Sequence, residues 1–221
     1  MNAIYFGTLQ TTDWRQMNGS ANSQKVEIFN IGDTNDLDNQ ATLLRWVVHN
    51  GKLIQQTPVC QVPWLSVVGS NFTSDTLVTV DGFKFRAHIP CIQEDIDDCQ
   101  EIGFRDWDFW CHDKERLHVP FYVGEKTNWV PKKHPFVNKK DVWLRLIMNP
   151  VMPGKLNSFI GKEVKLFLPT GVIPVVLEDI SDYDLVCQRT EEAEGNWGVR
   201  SGRHVIFDRT IVLNIAVPEE V

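Results

Sequence analysis

The stretch "TLVTVDGFKFRAHI", Thr76 to Ile89, decides the fold class. Val78 and Val80 alternate with polar neighbours, and Phe83, Phe85 and Ala87 resume the alternation after Asp81-Gly82. A period of two places every second side chain on one face of a strand, and Asp-Gly is a favoured two-residue hairpin turn. The stretch therefore reads as an antiparallel hairpin with one apolar face. Upstream, "ATLLRWVVHNGKLIQQTPV", Ala41 to Val59, has two readings. As a helix from Asp38 it would carry Ala41, Leu44 and Val48 on one stripe and end at Asn50-Gly51. As a hairpin it would turn at Asn50-Gly51. Its aromatic and β-branched content favours the hairpin. Further upstream, "NAIYFGTLQ" (2–10) is a candidate strand, and "QKVEIFNIGD" (24–33) alternates with Val26, Ile28 and Asn30 on one face.

Downstream, "CIQEDIDDCQE" (91–101) reads as an acidic, solvated loop, and its acids lack the order of a calcium-binding EF-hand loop. "FRDWDFWCHDKERLHVPFY" (104–122) then crowds aromatic, acidic, His and Cys residues together, and a basic segment broken by Pro120, Pro131 and Pro135 runs to Lys140. "DVWLRLIMNP" (141–150) returns to strand-like composition, and "NPVMPG" (149–154) reads as a linker. After it, "SFIGKEVKLFLPTGVIPVVLEDISDYDLVCQ" (158–188) spells three strands separated by turns, with Val164, Leu166, Leu168, Val176, Leu177, Leu185 and Val186 as its expected core. "VIFDRTIVLNIAV" (205–217) adds one or two more strands. No long amphipathic helix is written anywhere in the chain. The expected fold is mostly β with little helix: a larger antiparallel, Trp-rich β region (1–150) followed by a small barrel-like β region (155–221).

Composition narrows the function classes. The 221 residues are 43% hydrophobic and 23% charged, ordinary values for a globular chain, and no apolar run is long enough for a membrane helix. The beginning, "MNAIYFGTLQTTDW", lacks a basic n-region and an apolar h-region, so classical secretion is not expected and a cytoplasmic or virion location is. The five cysteines form no Cys-x-x-Cys pair and suit buried free thiols. A net charge of −7 gives no general pull towards nucleic acid. Eight dispersed tryptophans suit core filling, with some left over for a contact surface.

Three constellations carry possible chemistry. His88, Cys91, Cys111, His112 and His118 offer the imidazole and thiolate ligands that zinc prefers, although adjacent Cys111 and His112 point to opposite faces of a strand. Asp106 and Asp108 flank Trp107 as a carboxylate pair of the type glycosidases use, which centres a hydrolase alternative on residues 106–118. Lys132, Lys133, Lys139 and Lys140 interleave with Trp129 and Phe136, the mixture that single-stranded nucleic acid binds. Nucleophile elbows, Walker loops and protease signatures are all missing from the sequence, so no catalytic residue is assigned and no cofactor is expected, zinc being the alternative.

The segment Phe159 to Gln188, with its "GK-x-V" opening, Gly171 turn and "D-x-x-x-L" return, resembles the core of small SH3-like and Sm-like β-barrels. That resemblance implies a barrel that binds RNA, DNA or peptides or builds assemblies. The remainder, β-rich and Trp-rich, is similar in texture to phage and prophage proteins. The leading expectation is a non-enzymatic binding or assembly protein, a phage structural component among the options. It would act on a protein partner or on itself, with nucleic acid as the alternative through the basic loop and with no membrane. Trp110, and after it Trp129, are the rings expected to reach that partner, beside Lys132, Lys133, Lys139 and Lys140.

Overall fold

Asn50 and Gly51 take φ angles of 48° and 74°, and Asp81 and Gly82 take 51° and 88°. Positive φ at both central residues is the primed turn that matches the right-handed twist of two strands, so both pairs close hairpins. The computed structural model that shows this describes residues 3–15, 25–36, 42–58, 60–102, 108–138, 142–190, 199–201 and 204–218. It is mostly β, with antiparallel sheets and two short helices. The described chain divides into two compact units, Met1–Asp81 with Phe85–Asn149, and Gly82–Lys84 with Pro150–Val221.

The first unit opens with β1 (Ala3–Arg15), β2 (Lys25–Gly32), β3 (Thr42–His49), β4 (Lys52–Gln55) and β5 (Gln61–Val62). A six-residue helix α1 (Trp64–Gly69) leads to the hairpin β6 (Thr76–Val80) and β7 (Phe83–His88), then to α2 (Ile96–Glu101). Short strands β8 (Phe109–Cys111), β9 (Phe121–Val123), β10 (Lys132–Lys133), β11 (Val142–Trp143) and β12 (Ile147–Pro150) complete it. Seven strands pair in the order β2-β1-β3-β4-β12-β7-β6, and five in the order β10-β9-β8-β11-β5. Gly7, at φ 71°, sits where the β1–β3 register shifts between Tyr5 and Thr8, the place where a bulge needs a residue without Cβ. Phe109, Cys111, Phe121 and Val123 of the smaller sheet pack with Ile54, Ile147, Ile96 and Cys99 in one apolar cluster.

The second unit is a six-stranded sheet in the order β16-β17-β15-β14-β13-β18, whereas the sheet whose edge strands approach each other is the seven-stranded one, β2 lying against β6. The strands of the second unit are β13 (Glu163–Leu168), β14 (Gly171–Ile180), β15 (Asp184–Arg189), β16 (Val199–Ser201), β17 (His204–Asp208) and β18 (Asn214–Ala216). Consecutive strands β13, β14 and β15 pair antiparallel as the turn residues require.

Four details depart from the sequence reading. In β2 Phe29 and Ile31 are buried, whereas Ile28 is half-buried and Asn30 exposed, so the core face is not the one expected through Ile28 and Asn30; the Val26 side chain lies outside what is described. The large Phe29 ring gains most from burial and sets the register. In the second unit, Val164, Leu166, Leu168, Leu177 and Leu185 are core, but Val176 and Val186 are not; Val175 and Cys187 take their places. Val176 adjoins Leu177 and Val186 adjoins Leu185, so neither member of a pair shares its neighbour's face. The acidic 91–101 stretch contains the helix α2 rather than only a solvated loop, and Asp95 within it is buried. Finally, Phe109, Trp110 and Cys111 are all buried, so β8 is covered on both faces instead of presenting one to a surface.

Candidate functional site

Trp110 has no exposed surface. Its indole N–H donates to the Val62 carbonyl at 2.8 Å, and its ring packs 5.4 Å from Trp64 and 5.1 Å from His134. This corrects the expectation that Trp110 reaches a partner: a ring whose one polar atom is already satisfied is a core ring. Trp129 is half-buried and lies edge-on to Phe109 at 6.1 Å, so it too turns inward. Lys132 and Lys133 are exposed on β10, an edge strand paired only with β9. Lys139, Lys140, Asp106 and Trp107 lie outside the described residues.

The loop 124–138 exposes apolar side chains among charged and polar ones, which include Glu125, Lys126, Asn128, Lys132 and Lys133. Val130 is 59% exposed, Phe136 52% and Val137 37%, and the Leu65 side chain of α1 is exposed beside them, its N–H donating to the Val137 carbonyl. Phe136 and the two lysines were legible as a basic-aromatic mixture; Leu65, more than sixty residues earlier, was not. The exposure is held in place rather than left to chance. His134 is buried, with its backbone N–H on the Pro120 carbonyl at 2.8 Å. Its Nδ1 donates to the Phe136 carbonyl at 2.7 Å, and its ring stands against Trp110 and Tyr122. Asn128 and Trp129 both have positive φ, 51° and 59°. A bulky side chain in the left-handed region is a steric outlier costing on the order of 1–3 kcal/mol, kept only where the surroundings over-determine it. Here the Thr127 hydroxyl bonded to Gly124, the Trp129 N–H on the Gly124 carbonyl and the Trp129–Phe109 contact supply the constraint. Asp108 faces Lys126 and Lys132 from the protein side; burial pushes its carboxyl up and the two lysines pull it back.

A second cluster is buried and charged. His88 stands between two carboxylates, with Nδ1 3.0 Å from Asp75 Oδ1 and Nε2 3.1 Å from Asp95 Oδ2. Asp95 also accepts the Cys91 N–H at 2.8 Å and the Lys52 ammonium at 2.7 Å. Lys52 reaches Asp98 at 2.8 Å as well, and Asn50 donates to Asp98. Burial alone would lower the Lys52 pKa, but its bonds to Asp95 and Asp98 and their charge raise it to about 12. These partners are 43 to 48 residues apart, and nothing in the local sequence marks them as a set.

The proposed zinc ligands are not gathered. Cys91 and His112 pair across an isolated parallel bridge, and the His88 and His112 rings lie 5.8 Å apart. Cys111 belongs to the apolar cluster on the opposite face, and His118 is exposed. Among the described residues, no three His, Cys, Asp or Glu side chains are placed to hold an ion. The Cys91, Cys99 and Cys111 thiols are all pushed up by burial, so they stay protonated and unreactive at neutral pH. With both ring nitrogens against carboxylates, His88 is not set to serve a nucleophile as base.

Compared with known proteins, the chain matches no family model, no curated protein and no solved structure. Among the described residues, no helix is long and apolar enough to cross a membrane.

Proposed function

We propose that this chain is a non-enzymatic binding and assembly protein whose contact surface is the loop 124–138 with Leu65. The observation that carries the reading is the exposure of Val130, Phe136 and Val137 together with Lys132 and Lys133 on one loop pinned by buried His134, with exposed Leu65 tied to it through its N–H on the Val137 carbonyl. Pre-organised exposed apolar side chains lose little entropy on docking, and a contiguous patch of them marks a contact site. The occupant proposed is a second copy of the chain. Its net charge of −7, with Asp97 and Glu101 exposed on α2, supplies the acidic counterpart to the two lysines. A subunit of a larger particle, such as a phage component, is one form of this reading. Single-stranded nucleic acid is the second reading; Trp129 gives its ring to Phe109, so Phe136 is the ring left beside the two lysines for a base to stack on.

Light scattering on the purified chain over a range of concentrations tests the proposal. Wild type is expected at a multiple of the monomer mass, and Phe136→Asp at the monomer mass with an unchanged circular dichroism spectrum. A wild-type chain that stays monomeric at every concentration contradicts it.

A further inference from the structure

Asn50 and Gly51 form the two-residue turn between β3 and β4, and both are exposed. Asparagine before glycine is the pair in which the next backbone nitrogen reaches the side-chain carbonyl carbon with least hindrance, because glycine carries no Cβ. The approach is open here. A Cβ placed on Gly51 would meet nothing within 4 Å, and among the described residues the Gly51 N–H donates to no backbone carbonyl. The Asn50 amide is held at one point: its Nδ2 donates to Asp98 Oδ1 on α2 at 2.7 Å. Asp98 is half-buried and also accepts the Lys52 ammonium at 2.8 Å, and Lys52 reaches Asp95 at 2.7 Å. His49, just before the turn, stands 3.6 Å from Asp98 and 3.2 Å from Glu101. Asn50 is thus a neutral donor set against an acidic helix.

We propose that Asn50 is a site of spontaneous deamidation, slowed by its bond to Asp98, and that the product removes the tie between the β3–β4 turn and the end of α2. The Gly51 backbone nitrogen loses its proton and attacks Asn50 Cγ. The new C–N bond forms, the Cγ–Nδ2 bond breaks, and Nδ2 leaves as ammonia with that proton. Water then opens the cyclic imide at either carbonyl and leaves aspartate or isoaspartate at position 50; no oxidant or reductant takes part. The native contacts restrain the first step without barring it. Nδ2 must give up Asp98 before the side chain can swing onto the Gly51 nitrogen, and ring closure must distort a turn that the ladder fixes at φ 48° and 74°. The consequence follows from charge. A carboxylate at position 50 has only acceptors to offer Asp98, so a hydrogen bond becomes an opposition of like charges. Isoaspartate also inserts a methylene into the backbone of a two-residue turn. Lys52 still holds Asp95, and Ile96 and Cys99 stay in the apolar cluster, so α2 keeps its seat and the loosening is confined to its last turn.

The test is to incubate the whole purified chain at about pH 8 and to map its peptides by mass spectrometry, with the same chain in urea as the unrestrained reference. Position 50 is expected to gain about one mass unit in the folded chain, at a rate between about threefold and about thirtyfold below the rate in urea. Asp98→Ala, which leaves Lys52 on Asp95, should bring the folded rate close to the rate in urea. Asn50→Asp sets one product in place from the start and supplies a second measurement should Asp98→Ala misfold. In that variant the Ile102 N–H, which donates to the Asp98 carbonyl, should exchange with solvent at least tenfold faster, and the Cys99 N–H, which donates to the Asp95 carbonyl, should change less. No conversion at Asn50 in the folded chain over about a hundred half-lives of the unfolded one overturns the proposal. So does conversion as fast as in urea, an Asp98→Ala chain that converts as slowly as wild type, or unchanged Ile102 exchange in Asn50→Asp.

Discussion

The two units keep their strands together by different means. The second unit's core cluster, Val164, Leu166, Leu168, Val175, Leu177, Leu185, Val205, Phe207 and Ile215, is apolar except for the thiol of Cys187, and the buried polar side chain of this unit is the neutral amide of Asn214. The first unit buries His88, Asp95, His112 and Arg145 among its aromatic rings, with the Arg145 guanidinium 4.2 Å from the Phe109 ring centre. A dry core is tolerant of pH and loses stability in proportion to the volume removed. A core that contains ions depends on each partner, because removing one leaves the other charged and unsolvated.

The sharpest way to break this comparison is to remove one ion. Lys52→Met leaves Asp95 buried with two of its three donors, and should cost the first unit about 3–5 kcal/mol in urea unfolding. The protection of Cys187 in the second unit should not change. A loss below about 1 kcal/mol would mean that the Asp95 site rearranges or hydrates freely.

Leu166→Ala probes the dry core in the same way. Leu166 has no exposed surface, and its truncation should cost about 2–5 kcal/mol with no pH dependence. A smaller loss would place its strand in another register.

The pH profile sharpens the contrast. Burial holds His112 at about 4, against 6.5 for an ordinary histidine, so the unfolded chain takes up the proton while the folded chain does not. Stability of the first unit is therefore complete above about pH 6.5, falls as the pH drops towards about 4, and is lower there by roughly 3 kcal/mol. His88, also held low by burial, acts in the same direction. Thermal melts from pH 7 to pH 4 on wild type and on His112→Phe measure this; a wild-type profile flat over that range would contradict it.

Legibility in the sequence follows the same divide. In the second unit β13, β14 and β15 are consecutive hairpins, so alternation and turn residues such as Gly171 were enough to place them. The Asn50-Gly51 and Asp81-Gly82 turns were readable for the same reason. The first unit was opaque where its partners are distant. β4 lies next to β12, nearly a hundred residues on, and the Lys52–Asp95 pair joins a hairpin to a helix entry 43 residues away. Trp110 was misjudged because three successive buried residues, Phe109, Trp110 and Cys111, carry no alternation from which to tell an inner face from an outer one. The loop lysines were visible, but the exposure of Phe136 and Val130 depends on His134 turning inward, which composition does not record.

Surface substitutions in the loop should change stability least, by about 0.5 kcal/mol or less, because Val130 and Phe136 already face solvent. Their effect belongs to association. Backbone amide hydrogen exchange, followed at low and high concentrations of the wild-type chain, tests the assembly surface most directly. The account predicts that the peptides covering Val130–Val137 and Leu65 exchange more slowly at high concentration, and that peptides from the second unit do not change. Exchange in the loop that is identical at both concentrations would contradict it.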